Sequence, residues 1–389
     1  MTIGIDQIGL YTPNYFVDMV KLAQARGVDP DKFTIGIGQD QQAVVPSSQD
    51  VVTMGANAAQ RFMTPEIAST IGLIVLGTET GVDASKAGSL YIQQLLNLNA
   101  ASRAIEIKEA CYGATAGLML ARDFIASHTG QTALVVGADI ARYGLASSGE
   151  VTQGAGAVAM LVSENPRILT IDAESSYFSE QVMDFWRPVY TDEAIALGKY
   201  STEQYIRFFE TTWAAYQEKT GRSLMDFKAL TFHLPYTKMG LKALRTALPA
   251  VDEAKQAELL AFYQDSTQFS RRIGNIYTGS LYLGLLSLLD LNQQLAAGDR
   301  IGLFSYGSGA VAEFFAGNLV PGFRDQLHVD ADLAMLDQRQ EVTIPEYEAI
   351  FNDKVPYDAS DYRSNPAYFS GDYVLTGVTG QQRRYQSQR

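Results

Sequence analysis

A duplicated glycine-rich hexamer restricts the architectures open to this chain. Residues 154–159 read GAGAVA and residues 307–312 read GSGAVA, so the two copies lie 153 residues apart. Each copy is followed by apolar residues and then by a polar turn. Two apolar runs, which end at Glu79 and Pro235, are separated by a similar 156 residues. A period of this length excludes a short-repeat solenoid and predicts two copies of one folding unit.

Short apolar runs alternate with helical patterns, which is typical of an α/β protein with buried strands between helices. The predicted strands are residues 71–76, 133–136, 157–162, 230–232 and 301–305. The predicted helices are two amphipathic segments and two segments that are apolar nearly all round: 204–219, 253–264, 111–126 and 277–289. We expect the last two helices to be central, because a helix that is apolar on every face must be buried.

The repeat also predicts how the chain is divided. The first half is placed at residues 1–165 and the second at residues 166–317. A long loop, either functional or mobile, is expected over residues 172–200. The remainder, residues 318–389, is more polar and is predicted to form a peripheral cap that ends in a frayed tail.

Charge and cysteine content exclude several classes of partner. Against 43 Asp and Glu the 389 residues carry only 30 Lys and Arg, so no general basic surface is available for nucleic acid or an anionic membrane. The single cysteine, Cys111, excludes an intrachain disulfide and is typical of a reducing compartment. The N-terminal sequence does not resemble a signal peptide, and no apolar run reaches the length of a membrane span. We therefore expect a cytoplasmic protein.

Cys111 is the first candidate for chemistry. It lies in the segment KEACYGATAG, where small residues precede a predicted apolar helix. Backbone N–H groups and the helix dipole at a helix N-terminus favour a thiolate, which predicts a nucleophile. The alternative is a small hydrophobe in the core, since free cysteine is among the most buried residue types.

Glu79 and His233 each follow a predicted strand. A carboxyl partly removed from water has a raised pKa and can act as a general acid and base, and a neutral imidazole can exchange a proton near neutral pH. Equivalent strand ends converge in a duplicated fold, so we expect both side chains to face one cavity. The alternatives are a solvated glutamate and a structural, hydrogen-bonded histidine.

Other polar groups extend this set. Asn275 precedes the second apolar helix and Ser308 lies in a glycine-rich turn, so both are candidates for orienting a carbonyl oxygen. Lys238, Lys242 and Arg245 recur at helical spacing and place three positive charges on one helix face. That face either holds the phosphates of a ligand or is simply solvated. The chain has no phosphate-loop lysine, no dinucleotide fingerprint and no metal-ligand spacing.

Around these residues run seven long motifs: LGTET, KEACYGATAG, VTQGAGAVAML, DFWRP, HLPYTKMG, RRIGNIYTGSLYLGL and FSYGSGAVAEFF. Together they resemble bacterial 3-hydroxy-3-methylglutaryl-CoA (HMG-CoA) synthases, and the likeness runs from Gly4 to about Tyr347. The resemblance implies a thiolase-type fold, in which two similar halves containing βαβαβ units pack as a five-layered αβαβα sandwich. It also implies a homodimer.

The resemblance further implies roles for individual residues. Cys111 would be the acetyl-accepting nucleophile, Glu79 the general acid and base, and His233 the residue that binds and polarises acetoacetyl-CoA. The positions implied to contact substrate or to line its pocket are Asn275, Ser308, Thr152, Ser201, Lys238, Lys242, Tyr143, Phe185 and Pro235. Between Pro188 and Ser201 the chain reads VYTDEAIALGKY, which departs from the family pattern.

The implied enzyme is an acyltransferase of the mevalonate route to isoprenoids. It would condense acetyl-CoA with acetoacetyl-CoA and water, through an acetyl thioester on Cys111, to give HMG-CoA and CoA; no metal or other cofactor is implied. A 3-oxoacyl synthase III-like or polyketide-type condensing enzyme is an alternative, but such enzymes do not need a carboxylate base such as Glu79. A non-catalytic CoA- or acyl-binding subunit is a second alternative, in which Cys111 would take up no acetyl label.

Overall fold

The computed structural model describes residues 2–389. Its strands are β1 (Ile3–Tyr11), β2 (Tyr15–Asp18), β3 (Gln41–Val44), β4 (Ile71–Gly77), β5 (Arg103–Ile107), β6 (Thr132–Ala141), β7 (Gly154–Glu164), β8 (Leu169–Ser179), β9 (Phe185–Trp186), β10 (Ile195–Ala196), β11 (Ala229–Phe232), β12 (Arg300–Gly307), β13 (Val311–Leu319), β14 (Gln340–Glu341), β15 (Tyr362–Arg363), β16 (Tyr373–Thr379) and β17 (Gln382–Ser387).

The α-helices connect these strands and cover the sheets that they form. They are α1 (Met19–Ala25), α2 (Val51–Gln60), α3 (Pro65–Thr70), α4 (Gly88–Leu95), α5 (Gly113–Ser127), α6 (Gly198–Thr220), α7 (Thr237–Ala247), α8 (Glu253–Ile273), α9 (Ser280–Leu291), α10 (Val329–Asp337) and α11 (Ile344–Asn352). The predicted strands and helices all fall within or overlap observed elements of the same type. In the part of the chain that the structure describes, no helix is long and apolar enough to cross a membrane.

Within residues 2–389, nine strands form one large sheet in the order β11-β12-β13-β8-β1-β7-β6-β4-β5. The antiparallel pair β1 and β8 lies at its centre. Outward from that pair, the order β1-β7-β6-β4 in one half matches β8-β13-β12-β11 in the other, and each series ends in a parallel pair. The duplication that the hexamers predicted is therefore confirmed. The boundaries at residues 165 and 317 stay predictions, because both halves share one sheet.

The glycines of the two hexamers allow the halves to approach each other closely. A Cβ atom at Gly154, the first residue of β7, would lie 2.6 Å from the carbonyl oxygen of Asn275 in the other half. A Cβ atom at Gly307, the last residue of β12, would lie 2.6 Å from the carbonyl oxygen of Glu109, two residues before Cys111. Only glycine fits at such contacts. Each hexamer therefore packs against a candidate site segment of the opposite half.

Helix α9 is central, as predicted, whereas α5 leaves one face exposed, where Leu120 is 48% exposed. Every residue of α9 from Ser280 to Asp290 is buried. The Thr115 hydroxyl of α5 is 2.8 Å from the Tyr282 hydroxyl of α9 and donates to the Ser305 hydroxyl of β12 at 2.8 Å. Helices α2 and α6 pack on strands of the first and second halves, respectively. The hydrogen bonds of Thr115 join the two halves, and α2 and α6 cover the sheet, which gives a layered α/β structure.

The prediction of a long loop over residues 172–200 was wrong at both ends. Strand β8 continues to Ser179, α6 already begins at Gly198, and β9 and β10 pair as a short antiparallel ladder between them. Residues 171–179 of β8, IDAESSYFS, lack a regular apolar alternation, because several of their side chains are exposed. Pairing with β13, distant in sequence, holds β8 as a strand.

The prediction of a frayed C-terminal tail was also wrong. Strands β15, β16 and β17 form a small antiparallel sheet, and residues 373–375 of β16 are buried. Arg383 and Tyr385 of β17 both donate to the carboxylate of Asp50, which caps the N-terminus of α2. The polar composition concealed this packing, because most side chains of β17 are exposed while its backbone pairs with β16.

The packing of this tail predicts a measurable stability. We expect Leu375→Ala, at a fully buried position, to lower the free energy of unfolding by about 2–5 kcal/mol, since it leaves a cavity beneath β16. The control is Tyr357→Ala, at a side chain that is 87% exposed. This substitution should change the free energy of unfolding by less than about 0.5 kcal/mol. Urea unfolding followed by circular dichroism measures both variants. Equal unfolding midpoints would contradict a packed tail.

Candidate active site

Cys111 lies two residues before α5, as predicted, at the contact between the two halves. Its side chain is only 7% exposed. The surrounding apolar cluster, which we call the cysteine cluster, consists of Cys111, Ala141, Phe185, Ala194 and Tyr277, with Tyr143 packed against it. Small and aromatic side chains from four separate segments therefore enclose the sulfur.

Glu79 is the polar group beside this sulfur. It follows the end of β4 by two residues, and its Oε1 atom accepts a hydrogen bond from Cys111 Sγ at 3.5 Å. Burial raises the pKa of Glu79 to about 8; Asp139 adds to the rise and the charge of Arg187 opposes it. The carboxyl is therefore largely protonated at neutral pH and can give up or take a proton there.

The structure corrects the expectation that Cys111 rests as a thiolate. Burial raises the pKa of the Cys111 thiol well above its ordinary value, and the carboxyls of Glu79 and Asp139 raise it further. The helix dipole does not offset this surrounding of apolar atoms and acidic groups. The resting form is therefore the thiol, and its proton leaves as the sulfur reacts.

Asp139 fixes the position of Glu79. Its Oδ1 atom accepts hydrogen bonds from the backbone N–H groups of Glu79 and Thr80 at 2.9 and 3.0 Å, and from the Thr78 hydroxyl at 2.8 Å. Its Oδ2 atom accepts from the backbone N–H of Thr278, in the second half, at 3.1 Å. Asp139 is not among the residues predicted from the sequence, although a carboxylate within the apolar run ALVVGADIA is a visible signal.

His233 occupies the strand end equivalent to that of Glu79. It directly follows β11, the counterpart of β4, and is 1% exposed. Burial lowers the pKa of His233 to about 3, so the imidazole is neutral. Its Nδ1 atom has no hydrogen-bond partner among residues 2–389. No hydrogen bond within those residues joins the ring to Glu79 or Cys111, and its place in the same cavity stays a prediction.

Asp184 organises the other side of the site. This carboxylate is fully buried; its Oδ2 atom accepts from the Tyr306 hydroxyl at 2.8 Å and the Ser201 hydroxyl at 3.3 Å, and its Oδ1 atom accepts from the Gly309 N–H at 3.0 Å. It therefore connects Ser201, at the start of α6, to the turn that carries Ser308. Asp184 is the first residue of the motif DFWRP, but no role for it is predicted from the sequence.

Three predicted residues, Tyr143, Phe185 and Asn275, lie at the cysteine cluster. Phe185 packs edge-on against Tyr143 and Tyr277, with ring centroids 6.1 and 5.7 Å apart. Asn275 Oδ1 accepts hydrogen bonds from the backbone N–H of Tyr277 at 2.8 Å and from the Ser280 hydroxyl at 3.0 Å. Because the oxygen is occupied in this way, the amide nitrogen is the group of Asn275 that is left to donate.

The remaining predicted residues lie outside the cysteine cluster. Thr152 donates its hydroxyl to the Gly149 carbonyl at 2.8 Å, and Pro235 follows His233 by two residues. Lys238 and Lys242 lie on α7, and neither forms a salt bridge within the described chain. Among residues 2–389, no group of three or more His, Cys, Asp or Glu side chains is arranged to hold a metal ion.

Comparisons with known proteins identify the family of the chain. The family profile described as "Hydroxymethylglutaryl-coenzyme A synthase N terminal" matches residues 1–167, and the corresponding C-terminal profile matches residues 253–389. The chain is 51% identical over 358 residues to the hydroxymethylglutaryl-CoA synthase of Enterococcus faecalis, which covers 92% of this chain and 94% of that protein. It is 33% identical over 370 residues to PksG of Bacillus subtilis, a polyketide biosynthesis 3-hydroxy-3-methylglutaryl-ACP synthase, which covers 90% of this chain and 87% of that protein.

Solved structures match over the full length. An HMG-CoA synthase complexed with CoA has a TM-score of 0.97 and 43% identity, with both chains covered completely. MvaS in complex with 3-hydroxy-3-methylglutaryl coenzyme A has a TM-score of 0.86 and 36% identity, with 99% of each chain covered. The thiolase-like fold implied by the motifs is thereby confirmed. On sequence, topology and these matches together, the chain belongs to the hydroxymethylglutaryl-CoA synthase family.

Proposed function

We propose that this protein condenses acetyl-CoA with acetoacetyl-CoA and water to give HMG-CoA and CoA, as an acyltransferase of the mevalonate route. The observation that carries the proposal is the 3.5 Å contact between Cys111 Sγ and Glu79 Oε1. This reaction requires a nucleophile that stores an acetyl group and a base that removes a proton from that group. The 51% identity to the Enterococcus faecalis enzyme supports CoA thioesters as the substrates.

In the first step, Cys111 takes the acetyl group. Its sulfur attacks the carbonyl carbon of acetyl-CoA, a new C–S bond forms, and the bond to the CoA sulfur breaks. The proton of the Cys111 thiol ends on the departing CoA thiol, so the exchange releases no net proton. Storing the acetyl group on the enzyme separates this step from the condensation and gives ping-pong kinetics.

In the second step, the stored acetyl group becomes a carbon nucleophile. The Glu79 carboxylate removes a proton from the acetyl methyl group, and the resulting carbanion attacks the ketone carbon of acetoacetyl-CoA. The ketone oxygen becomes an alkoxide and takes up the proton that Glu79 removed, which returns Glu79 to the carboxylate. His233, neutral and with an unpartnered Nδ1, is suited to hydrogen-bond to this oxygen, and the Asn275 amide is suited to hold a carbonyl oxygen.

In the last step, water cleaves the thioester on Cys111. A C–O bond forms at the carbonyl carbon, the C–S bond breaks, and the sulfur takes up one proton. The new carboxylic acid ionises and releases the second proton. The product leaves as HMG-CoA, and Cys111 returns to its resting thiol.

Glu79 also argues against the alternative condensing enzymes. A 3-oxoacyl synthase III-like or polyketide-type synthase forms its carbanion by loss of carbon dioxide and needs no carboxylate base. In this chain a carboxyl with a pKa of about 8 lies beside the sulfur. That arrangement favours a reaction in which a proton, rather than carbon dioxide, is removed.

The test is to mix the purified protein with labelled acetyl-CoA, alone and together with acetoacetyl-CoA. We expect label on the peptide that contains Cys111 in the first mixture and HMG-CoA, identified by mass, in the second. Absence of label would support a non-catalytic binding subunit. Acetoacetyl-acyl carrier protein is the comparison substrate, and faster product formation with it would assign the chain to carrier-bound substrates.

The positive face of α7 supports binding of a CoA phosphate. Lys242 Nζ donates to the Tyr236 hydroxyl at 2.9 Å, and its side chain is exposed. We expect Lys242→Ala to raise the KM for a CoA substrate about two- to fivefold while kcat stays within about twofold of wild type. Steady-state kinetics measure this. The control is Lys21→Ala, where the lysine already pairs with Glu341; an equal effect on KM there would contradict a specific role for Lys242.

The same proposal includes a cytoplasmic homodimer. A reducing compartment keeps the lone Cys111 as a thiol.

Strand β5 lies at one edge of the large sheet; Ile105 is 39% exposed there, and Leu90 of the adjoining α4 is 41% exposed. An exposed apolar edge strand is suited to pairing with a second copy. Light scattering should give the mass of two chains for wild type and of one chain for Ile105→Lys; a single-chain wild type would contradict the dimer.

A further inference from the structure

The mechanism above gives no role to Arg187, the charged residue of the motif DFWRP. It directly follows β9 and is half-buried. Within residues 2–389 its guanidinium forms no salt bridge, whereas the half-buried Arg26 and Arg61 are both paired with buried carboxylates. The half-buried Arg324 and the buried Arg339 also lack a salt bridge, but both donate to oxygen atoms of the chain, whereas the Arg187 guanidinium has no hydrogen-bond acceptor within residues 2–389. Arg187 is therefore a candidate for binding an anion.

The backbone directs Arg187 towards the cysteine cluster. Arg187 precedes Pro188, which restricts it to an extended conformation. Side chains two residues apart on an extended segment share a face, so we infer that Arg187 lies on the same side as Phe185. Phe185 packs into the cluster with Cys111 and Tyr277. The charge of Arg187 is also the strongest influence that lowers the pKa of Glu79 against the effect of burial. The packing of Phe185 therefore directs the Arg187 side chain to the side of the cysteine cluster, where Glu79 Oε1 lies 3.5 Å from the Cys111 sulfur, and the effect of its charge on Glu79 agrees with this direction.

The reaction produces an anion at this same place. The acetyl and acetoacetyl groups that enter are uncharged, and hydrolysis then creates a carboxylate at the carbon that was bonded to Cys111 Sγ. The acidic groups that act on this sulfur are Glu79, Asp139 and Asp184. A new carboxylate among these groups is repelled unless a cation compensates it, and Arg187 is the cation whose charge reaches Glu79.

We propose that Arg187 binds the carboxylate of the 3-hydroxy-3-methylglutaryl group as hydrolysis forms it, and thereby distinguishes this acyl group from uncharged ones. The planar guanidinium offers two parallel N–H donors that match the two oxygens of a carboxylate. The inference rests on the proposed function, because it assigns a binding partner to the last step of that reaction.

The test measures how three ligands compete with labelled acetyl-CoA for Cys111 in wild type, Arg187→Gln and Arg187→Lys. The ligands are HMG-CoA, its uncharged analogue 3-hydroxy-3-methylbutyryl-CoA, in which hydrogen replaces the carboxylate, and CoA itself. In Arg187→Gln we expect the affinity for HMG-CoA to fall about tenfold or more, because a charged hydrogen-bonded pair is lost. The affinities for the analogue and for CoA should stay within about twofold, and Arg187→Lys should recover part of the loss.

Two results would overturn the inference. An equal loss of affinity for all three ligands would show that Arg187 holds the CoA portion or supports the fold. An unchanged preference of Arg187→Gln for HMG-CoA over the analogue would show that the carboxylate is bound elsewhere. A wild-type protein that takes no acetyl label would contradict the proposed function instead, so the labelled wild type keeps the two questions apart.

Discussion

Cys111→Ala is expected to take up no label from acetyl-CoA and to lose condensation by a factor of about 10⁴ or more. The effect is this large because the chain has no second cysteine to store the acetyl group. Mass spectrometry of the peptide that contains residue 111 measures acetylation, and the mass of the acyl-CoA product measures condensation. Cys111 is small and packed among apolar groups, so alanine preserves the surrounding fold.

The control for this variant is Met225→Ala, at a side chain that is 59% exposed and lies outside the cysteine cluster. It should be acetylated as wild type is. Cys111→Ala and the control should also share one unfolding midpoint, which separates lost chemistry from lost structure. Condensation that persists in Cys111→Ala would remove the covalent intermediate from the mechanism.

Glu79→Ala is expected to separate acetylation of Cys111 from condensation. Condensation should fall at least about 10²-fold, since the base that deprotonates the acetyl methyl group is gone. Acetylation of Cys111 should continue, because the Glu79 carboxyl is one of the groups that raise the pKa of the thiol. Label on the enzyme without HMG-CoA in solution is the expected combination. A variant that condenses at the wild-type rate would exclude Glu79 as the base.

The pKa of Glu79 also fixes a pH dependence for this step. Only the carboxylate can accept the methyl proton, and burial raises the pKa of Glu79 to about 8. Condensation should therefore rise about tenfold per pH unit below about pH 8 and level off above it. Single-turnover rates starting from acetylated enzyme measure this dependence, and residual condensation in Glu79→Ala should lack it. A wild-type rate that is flat from about pH 6 to 8 would contradict the assignment.

Local patterns in the sequence predict the positions of the main candidates. Glu79 and His233 follow apolar runs at the ends of strands, and Cys111 precedes a helix that is apolar over most of its surface, so their places along the chain follow from strand and helix periodicity. The roles of Asp139 and Asp184 could not be predicted in this way. Each accepts a hydrogen bond from a residue far along the chain: Thr278 is 139 residues from Asp139, and Gly309 is 125 residues from Asp184.

Contacts between residues distant in sequence also explain the incorrect predictions. The pKa of Cys111 is set by its burial beside Glu79 and Asp139, and only the folded chain brings these groups together. Strand β17 is polar in sequence and is held by pairing with β16 and by contacts to Asp50, more than 300 residues earlier. Periodicity records which face of an element is buried. It does not record which distant segment covers that face.

Gly154 and Gly307 show that each folding unit supports the reactive segment of its twin: the first lies against Asn275, and the second against the loop of Cys111. Neither unit contains a finished catalytic centre. If the chain were cut in the turn between β7 and β8, we expect each fragment alone to be inert and acetyl uptake to return only when the fragments reassociate. An ancestor with a single unit would, by the same geometry, have worked only as a pair of identical chains, each completing the other.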